Sequence, residues 1–311
     1  MYLYNSKNNI LINAIQVPYT GNRAPLLPPN QFLSIDKETI ITIDDSDEAR
    51  FLYQRYAGLR ENRYKRRCFV TGALYTSIFS DTSDIIHPIP GRTIELAINI
   101  GNDVTTTVLI TYDTKVDNVY LLALNKLGKS FNEHKDNTRR RNNHDQGKMI
   151  VVGEGRKGNG SYGVYSITNS TDDITSATSS VMNLAEDYNN NNGFSEAVQS
   201  MNHQCGHSKR IDRNSFVTSI VQSMDLVNSA HVDVNDASES ISTWTESNID
   251  NADNWNFILP NTTIDGKKGI VIKLHHGVTI KWDGRLLMHC STVGSKEKSN
   301  HVYGTFFCAK K

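Results

Sequence analysis

The chain has 311 residues, with 33 lysines and arginines against 33 aspartates and glutamates. That length suits one large domain or two modest ones and exceeds a small disulfide-held scaffold. The charge balance excludes a protein held on nucleic acid by electrostatics alone, and leaves local basic patches open. No apolar run approaches the ~18 residues of a membrane span, and Met1 to Lys7 lacks a signal peptide's basic-then-apolar order. The expectation is a soluble intracellular protein, cytoplasmic or nuclear, with no membrane partner. Cys68, Cys205, Cys290 and Cys308 stand far apart without a Cys-x-x-Cys pair, so reduced thiols are expected rather than a disulfide framework or a four-thiolate zinc site.

Residues 45–57 read as a helix capped by Asp45 or Ser46 and ended by Gly58. The β-branched runs 94–100, 104–112 and 119–124, separated by turn clusters, predict a strand meander. Residues 129–147 are crowded with Lys, Asn, Arg and His and read as a polar insertion. A hairpin-like pair follows at 149–152 and 162–167, around a Gly-rich loop. The Ser, Thr, Asn and Asp of 168–204 predict a surface insertion with one helix near 194–201. The apolar spacing of Phe216, Ile220, Val221, Met224 and Leu226 predicts a second helix over 214–228. Seven short strands then follow, at 230–234, 240–245, 255–259, 269–274, 278–282, 285–290 and 301–308, with turns at Asp265-Gly266 and Asp283-Gly284. The fold class is mainly β with flanking helices, the last eighty residues forming a barrel or sandwich.

Gly153-Glu154-Gly155-Arg156-Lys157-Gly158 matches the dinucleotide pattern, but that fingerprint needs a helix after it, and Asn159 to Tyr162 lead into another strand; a hairpin loop is the better reading. His203, Cys205 and His207 put three metal-ligand types within five residues, yet no second cluster completes a tetrahedron, which favours a surface loop. The basic runs that include Arg66 and Arg67, and Arg139, Arg140 and Arg141, either touch phosphate or form a solvated face.

The stronger constellation is His231-x-Asp233 with the later His289. Two histidines and one carboxylate on one face of ferrous iron leave open positions for a co-substrate and dioxygen. On a strand, residues i and i+2 point the same way, so His231 and Asp233 can grip one metal while His289 arrives from another strand. Against this stands a plainer reading, with His231 as a hydrogen-bonded core residue and Asp233 as a turn cap.

This arrangement, with Trp255 to Asn261, Gly277 to Arg285 and His289-Cys290-Ser291, resembles the Fe(II)/2-oxoglutarate dioxygenase superfamily over residues 229–311. Within it, His231 to Asp236 looks most like the TET/JBP-type branch, including its ascorbate-using algal relatives, which oxidises methylated pyrimidines in DNA. The resemblance implies a double-stranded β-helix (jelly-roll, cupin-like) core at 211–311. Residues 1–210 would then form strands and helices packed around it. It also implies a metal held by His231, Asp233 and His289.

The family places an Arg or Lys roughly ten to sixteen residues after the distal His, to pair with the far carboxylate of 2-oxoglutarate. Here no Arg follows Arg285, and that place falls near His301. The co-substrate residues expected are therefore His301, Arg285, Asp236, Lys273 and Lys281, with either 2-oxoglutarate or ascorbate as co-substrate. Trp282 and Asn235 are expected at the substrate pocket. The function so implied is Fe(II)-dependent oxidation of a C–H bond, on a methylated nucleobase in DNA. The alternatives are a protein side-chain hydroxylase of the same superfamily or a non-catalytic β-barrel binding module. Oligomeric state is not legible.

Overall fold

The computed structural model describes residues 3–5, 9–16, 32–36, 39–43, 84–100, 104–115, 117–133, 146–156, 162–164, 172–205, 215–227, 232–233, 236–247, 255–259, 262–264, 270–293 and 301–310. The early strands are β1 (Leu3–Asn5), β2 (Asn9–Gln16), β3 (Phe32–Asp36), β4 (Thr39–Ile43), β5 (Asp84–Ile86), β6 (Thr93–Asn99) and β7 (Thr105–Tyr112). Helix α1 (Val119–Glu133) leads to β8 (Gln146–Arg156) and β9 (Tyr162–Val164), and helices α2 (Asp172–Asn191) and α3 (Ser195–Cys205) follow. The last third carries β10 (Ser219–Val227), β11 (Ser240–Glu246), β12 (Trp255–Leu259), β13 (Thr262–Thr263), β14 (Ile270–Leu274), β15 (Val278–Trp282), β16 (Cys290–Val293) and β17 (Val302–Cys308).

These strands build a large sheet in the order β1-β2-β6-β7-β15-β11-β17-β10-β8-β9, with β13 on β2, and a small sheet β16-β12-β14-β5; β3 and β4 pair as a separate hairpin. From β11 onward the chain passes between the two sheets: β11 in the large, β12 and β14 in the small, β15 in the large, β16 in the small, β17 in the large. That alternation makes the core a double-stranded β-helix.

Alternation along the strands gives the large sheet two apolar faces. One face meets the small sheet: Ile94, Leu96 and Ile98, Val108 and Ile110, Trp244, Ile280 and Trp282 pack against Trp255, Phe257, Leu259, Ile270, Ile272 and Leu274. The other face carries Ile150, Val152, Ile220, Ile241 and Phe307 and is covered by the three helices.

The helices correct three expectations. Residues 119–124 are the start of α1, not a strand, and the helix continues through 129–133 into the expected polar insertion. Over six residues Val119, Leu121 and Ala123 fit period two, but the spacing of buried Tyr120, Leu121, Leu124, Leu127 and Phe131 is helical. Asn118 caps the helix, its Oδ1 accepting from Tyr120 N–H at 2.9 Å. Residues 172–205 are two core-packed helices rather than a surface insertion, because Ile174, Ala177, Val181, Met182, Ala185 and Tyr188 form one buried stripe within a polar composition.

The expected helix at 214–228 is instead strand β10, held between β8 and β17. Its polar residues misled the helical reading: Ser219, Gln222 and Ser223 are buried, Gln222 accepting from the Thr305 hydroxyl at 2.7 Å and Ser223 donating to Gly304 O at 3.2 Å. No strand runs through Val232 and Asp233, and the expected strand at 285–290 begins as the turn over 284–287, with β16 starting only at Cys290. Glu154 to Arg156 end β8 and pair with Tyr162 to Val164 of β9, so the described part of the Gly-rich segment is strand; residues 157–161 lie outside the described residues. The helix expected at 45–57 and the Asp265-Gly266 turn lie outside the described residues.

Candidate metal centre

The turn after β15 organises the site. Leu286 and Leu287 N–H both donate to Asp283 O, at 3.2 and 2.9 Å, closing the chain on itself at Gly284. Gly284 O accepts from Asp233 N–H at 2.7 Å, and Asp236 N–H returns to Asp233 O at 3.1 Å. The loop bearing Asp233 is thus pinned to the turn that leads to His289, and a backbone bond replaces the strand geometry that the His-x-Asp spacing suggested.

His289 is buried and stacks on Phe257 (ring centroids 5.6 Å apart), with the edge of Trp282 at 5.3 Å. Its Nδ1 lies 3.0 Å from Leu287 O, an acceptor only, so Nδ1 carries the hydrogen. Its Nε2 then faces Asp233 Oδ2 at 3.3 Å. A neutral imidazole in this tautomer presents a lone pair to a carboxylate, an arrangement that calls for a cation between the two atoms. Burial pushes the His289 pKa down, and the hydrogen bond and charge of Asp233 more than offset it, for a net rise above the ordinary value.

A metal meets the same demand. Ligand atoms about 2.1 Å from a common ion at near-right angles lie about 3 Å apart, close to the observed separation. The donor set, one imidazole and one carboxylate, fits ferrous iron. His231, the expected third ligand, and Asn235 lie outside the described residues, as do Arg66, Arg67, Arg139, Arg140, Arg141 and His207. Among the described residues no group of three or more His, Cys, Asp or Glu converges as a metal cluster. His203 is exposed on α3, whereas Cys205 is buried there with its thiol on Phe216 O.

The residues expected at the co-substrate are mostly committed elsewhere. Arg285 donates from Nε to Asp283 Oδ1 at 2.8 Å, pairs with Asp283 Oδ2 through its second terminal nitrogen, and reaches Ala237 O at 2.7 Å. Lys281 Nζ bridges to Glu239 at 2.8 Å. Asp236, buried, accepts from Ser240 Oγ at 3.0 Å and forms an ion pair with Lys310. Burial depresses the Lys310 ammonium and Asp236 outweighs it, so the lysine stays charged. Lys273 sits on β14 in register with Asn256.

His301 is held by Asp225, Nδ1 to Oδ2 at 2.9 Å, at the end of β17 opposite the one that Lys310 extends. Asp225 takes a left-handed conformation (φ 52°) that lets its other oxygen accept from Val302 N–H at 3.0 Å. Trp282, expected at the substrate pocket, sets its ring edge against His289. Lys310 and Trp244 were missed; both share the inward alternation of Phe306 and Trp282, the one signal that marks them.

No protein-family model matches the chain, and no curated protein sequence does. Among solved structures, NgTET1 in complex with 5mC DNA is similar at a TM-score of 0.50 and 12% identity, over 76% of this chain and 86% of that one. The likeness is one of fold. A Pseudomonas putida prolyl-4-hydroxylase (TM-score 0.40, 6% identity, 66% of this chain and 92% of that one) and a 2OG-Fe(II) oxygenase family protein from Burkholderia pseudomallei (0.37, 11%, 66% and 86%) overlap more loosely and add nothing to that. No helix among the described residues is long and apolar enough to cross a membrane.

Proposed function

We propose that this chain is an Fe(II)-dependent oxygenase acting on a C–H bond, with the metal held by His231, Asp233 and His289. The observation that carries this is the Nε2 lone pair of His289 set 3.3 Å from Asp233 Oδ2 in a double-stranded β-helix. Bound there, ferrous iron supplies the site at which dioxygen is activated. The protein's part is positional. Leu287 O fixes the imidazole, Gly284 O fixes the Asp233 loop, and Phe257 and Trp282 keep water from the His289 ring.

The substrate we favour is a methylated base in DNA, because the fold likeness extends over most of a structure solved with 5mC DNA. Such a base must leave the stack to reach a buried centre. Arg66, Arg67 and Arg139 to Arg141 are the phosphate contacts proposed for it.

Anaerobic Fe(II) titration of the wild type, Asp233→Ala and His289→Ala tests the centre. Stoichiometric binding in the wild type and loss in both variants is expected, and iron binding that survives His289→Ala overturns the assignment. Equal affinity for methylated and unmethylated duplexes, with no oxidation of either, would overturn the DNA reading and favour a protein side chain as substrate.

A further inference from the structure

We propose that Asp236 and Lys310 are positioning residues of the metal centre: their ion pair clasps the loop bearing Asp233 to the segment that follows β17, and so sets where the Asp233 carboxylate stands relative to His289. This rests on the metal centre proposed above.

The two ligands ride on different parts of the barrel. His289 is placed by the small sheet, because Cys290 beside it pairs with Ile258 of β12 and its ring stacks on Phe257 of the same strand. Val232 and Asp233 lie in no strand, so the carboxylate is placed by tertiary bonds. The Gly284 carbonyl supplies one of these, to the Asp233 amide. A single bond of that kind is a pivot, and a second anchor is needed to stop rotation about it.

The second anchor comes three and four residues later. Ala237 N–H donates to Ala309 O at 2.7 Å, and Ala237 O accepts from Arg285 Nη1 at 2.7 Å. Asp236 stands opposite Lys310 as an isolated β-bridge, pairs with its ammonium, and accepts from Ser240 Oγ at 3.0 Å. Asp236 N–H, bonded to Asp233 O at 3.1 Å, carries the constraint back to the ligand. The far side of the clasp is rooted in the core: Ala309 is buried beneath the helices, Cys308 O accepts from Thr218 N–H at 3.1 Å, and Lys310 N–H donates to Thr218 Oγ1 at 2.9 Å.

Charge makes the ion pair the part on which the rest depends. Asp236 is 1% exposed, and a buried carboxylate is costly without a cation. Asp233 bears on it as a like charge, which Lys310 offsets. Removing Lys310 alone leaves that charge uncompensated, and the loop relieves it by moving Asp236 toward water, which loosens the bonds that place Asp233. Groups that orient a metal ligand typically alter affinity ten- to a hundredfold without touching the metal.

Mn(II), an oxygen-insensitive stand-in for ferrous iron, titrated into the protein and followed by electron paramagnetic resonance, reads the affinity of the centre without turnover. Lys310→Met should weaken Mn(II) at least tenfold. The double variant Asp236→Asn/Lys310→Met should bind more tightly than Lys310→Met, since it leaves no uncompensated charge. Gly128→Ala, whose packing defect lies on α1, separates lost stability from lost position: it should melt lower and bind Mn(II) as the wild type does. Ser240→Ala, which removes one hydrogen bond to Asp236 and should weaken Mn(II) severalfold, is the second variant where Lys310→Met does not fold.

Wild-type affinity in Lys310→Met, or in Ser240→Ala where the first does not fold, overturns the proposal. So does a loss in Gly128→Ala as large as in Lys310→Met, or a double variant weaker than Lys310→Met. Failure of the wild type to bind either Mn(II) or Fe(II) overturns the metal centre itself, so the two failures are told apart.

Discussion

A methyl group at Gly284 would crowd Asp233: a Cβ there would stand 3.1 Å from Asp233 Oδ2 and 3.2 Å from Trp282 Nε1, so the carboxylate must give by a few tenths of an ångström. The residue also supplies the carbonyl that holds the Asp233 backbone. Gly284→Ala is therefore expected to displace the carboxylate while leaving the barrel folded. Fe(II) affinity should fall about tenfold, as disturbing the groups that orient a ligand typically does, at nearly unchanged melting temperature. Unchanged affinity would show that Asp233 does not touch the metal.

Gly128 on α1 meets the ring of Tyr303 on β17, and a methyl there would fall 2.5 Å from the ring carbon Cγ. Tyr303 is buried and pinned in the sheet, so the helix must shift. Gly128→Ala should destabilise by about 1–3 kcal/mol through overpacking, despite alanine's better helix propensity. Chemical denaturation measures the balance, and a stabilised variant would contradict this packing.

Asn118→Ala removes the cap of α1, whose Oδ1 accepts from Tyr120 and Leu121 N–H. A loss of about 1 kcal/mol is expected, and Asn118→Asp should not restore it, because Asn118 Nδ2 donates to Asp113 Oδ2 at 2.7 Å and a second carboxylate there would repel the first.

His276 gives the fold an acid-sensitive point. Burial lowers its pKa below the ordinary value, with Asp113 partly opposing, and its Nδ1 accepts from Glu246 N–H at 3.2 Å. The unfolded chain takes up the proton first as pH falls, so this residue's contribution is complete above about pH 6.5 and is lost on acidification toward the lowered folded value. His276→Asn should flatten the melting temperature between about pH 7.5 and 5.5. An equally steep profile in the variant would assign the acid sensitivity to other groups.

The β strands were legible where period two was clean. Ile94, Leu96 and Ile98, or Trp255 to Leu259 bounded by polar turns, announce themselves. Where a strand buries polar residues on one face, as β10 does with Ser219, Gln222 and Ser223, the apolar remainder mimics a helix. Where a helix buries alanines and threonines within a polar composition, as α2 does with Ala177, Thr178 and Ala185, it reads as surface.

At the candidate site, Asp233 and His289 were picked from residue type and spacing, and the structure brings their side chains to 3.3 Å. Their neighbours were not. The pairing of Arg285 with Asp283, of Lys281 with Glu239 and of Lys310 with Asp236 depends on tertiary register, which local sequence does not encode.

Two early strands impose an order of assembly. Strand β2, residues 9–16, takes β13 of residues 262–263 at its C-terminal end and β6 along its length, and β5 of residues 84–86 runs parallel to β14 of residues 270–272. These contacts join the first hundred residues to the last fifty. A chain emerging from the ribosome holds β2 and β5 without their distant partners for most of its synthesis. Such long loop closures make folding slow, and unpaired edges invite pairing with other chains. Expression yield should therefore depend on chaperone capacity and temperature more than on the equilibrium stability of the finished barrel.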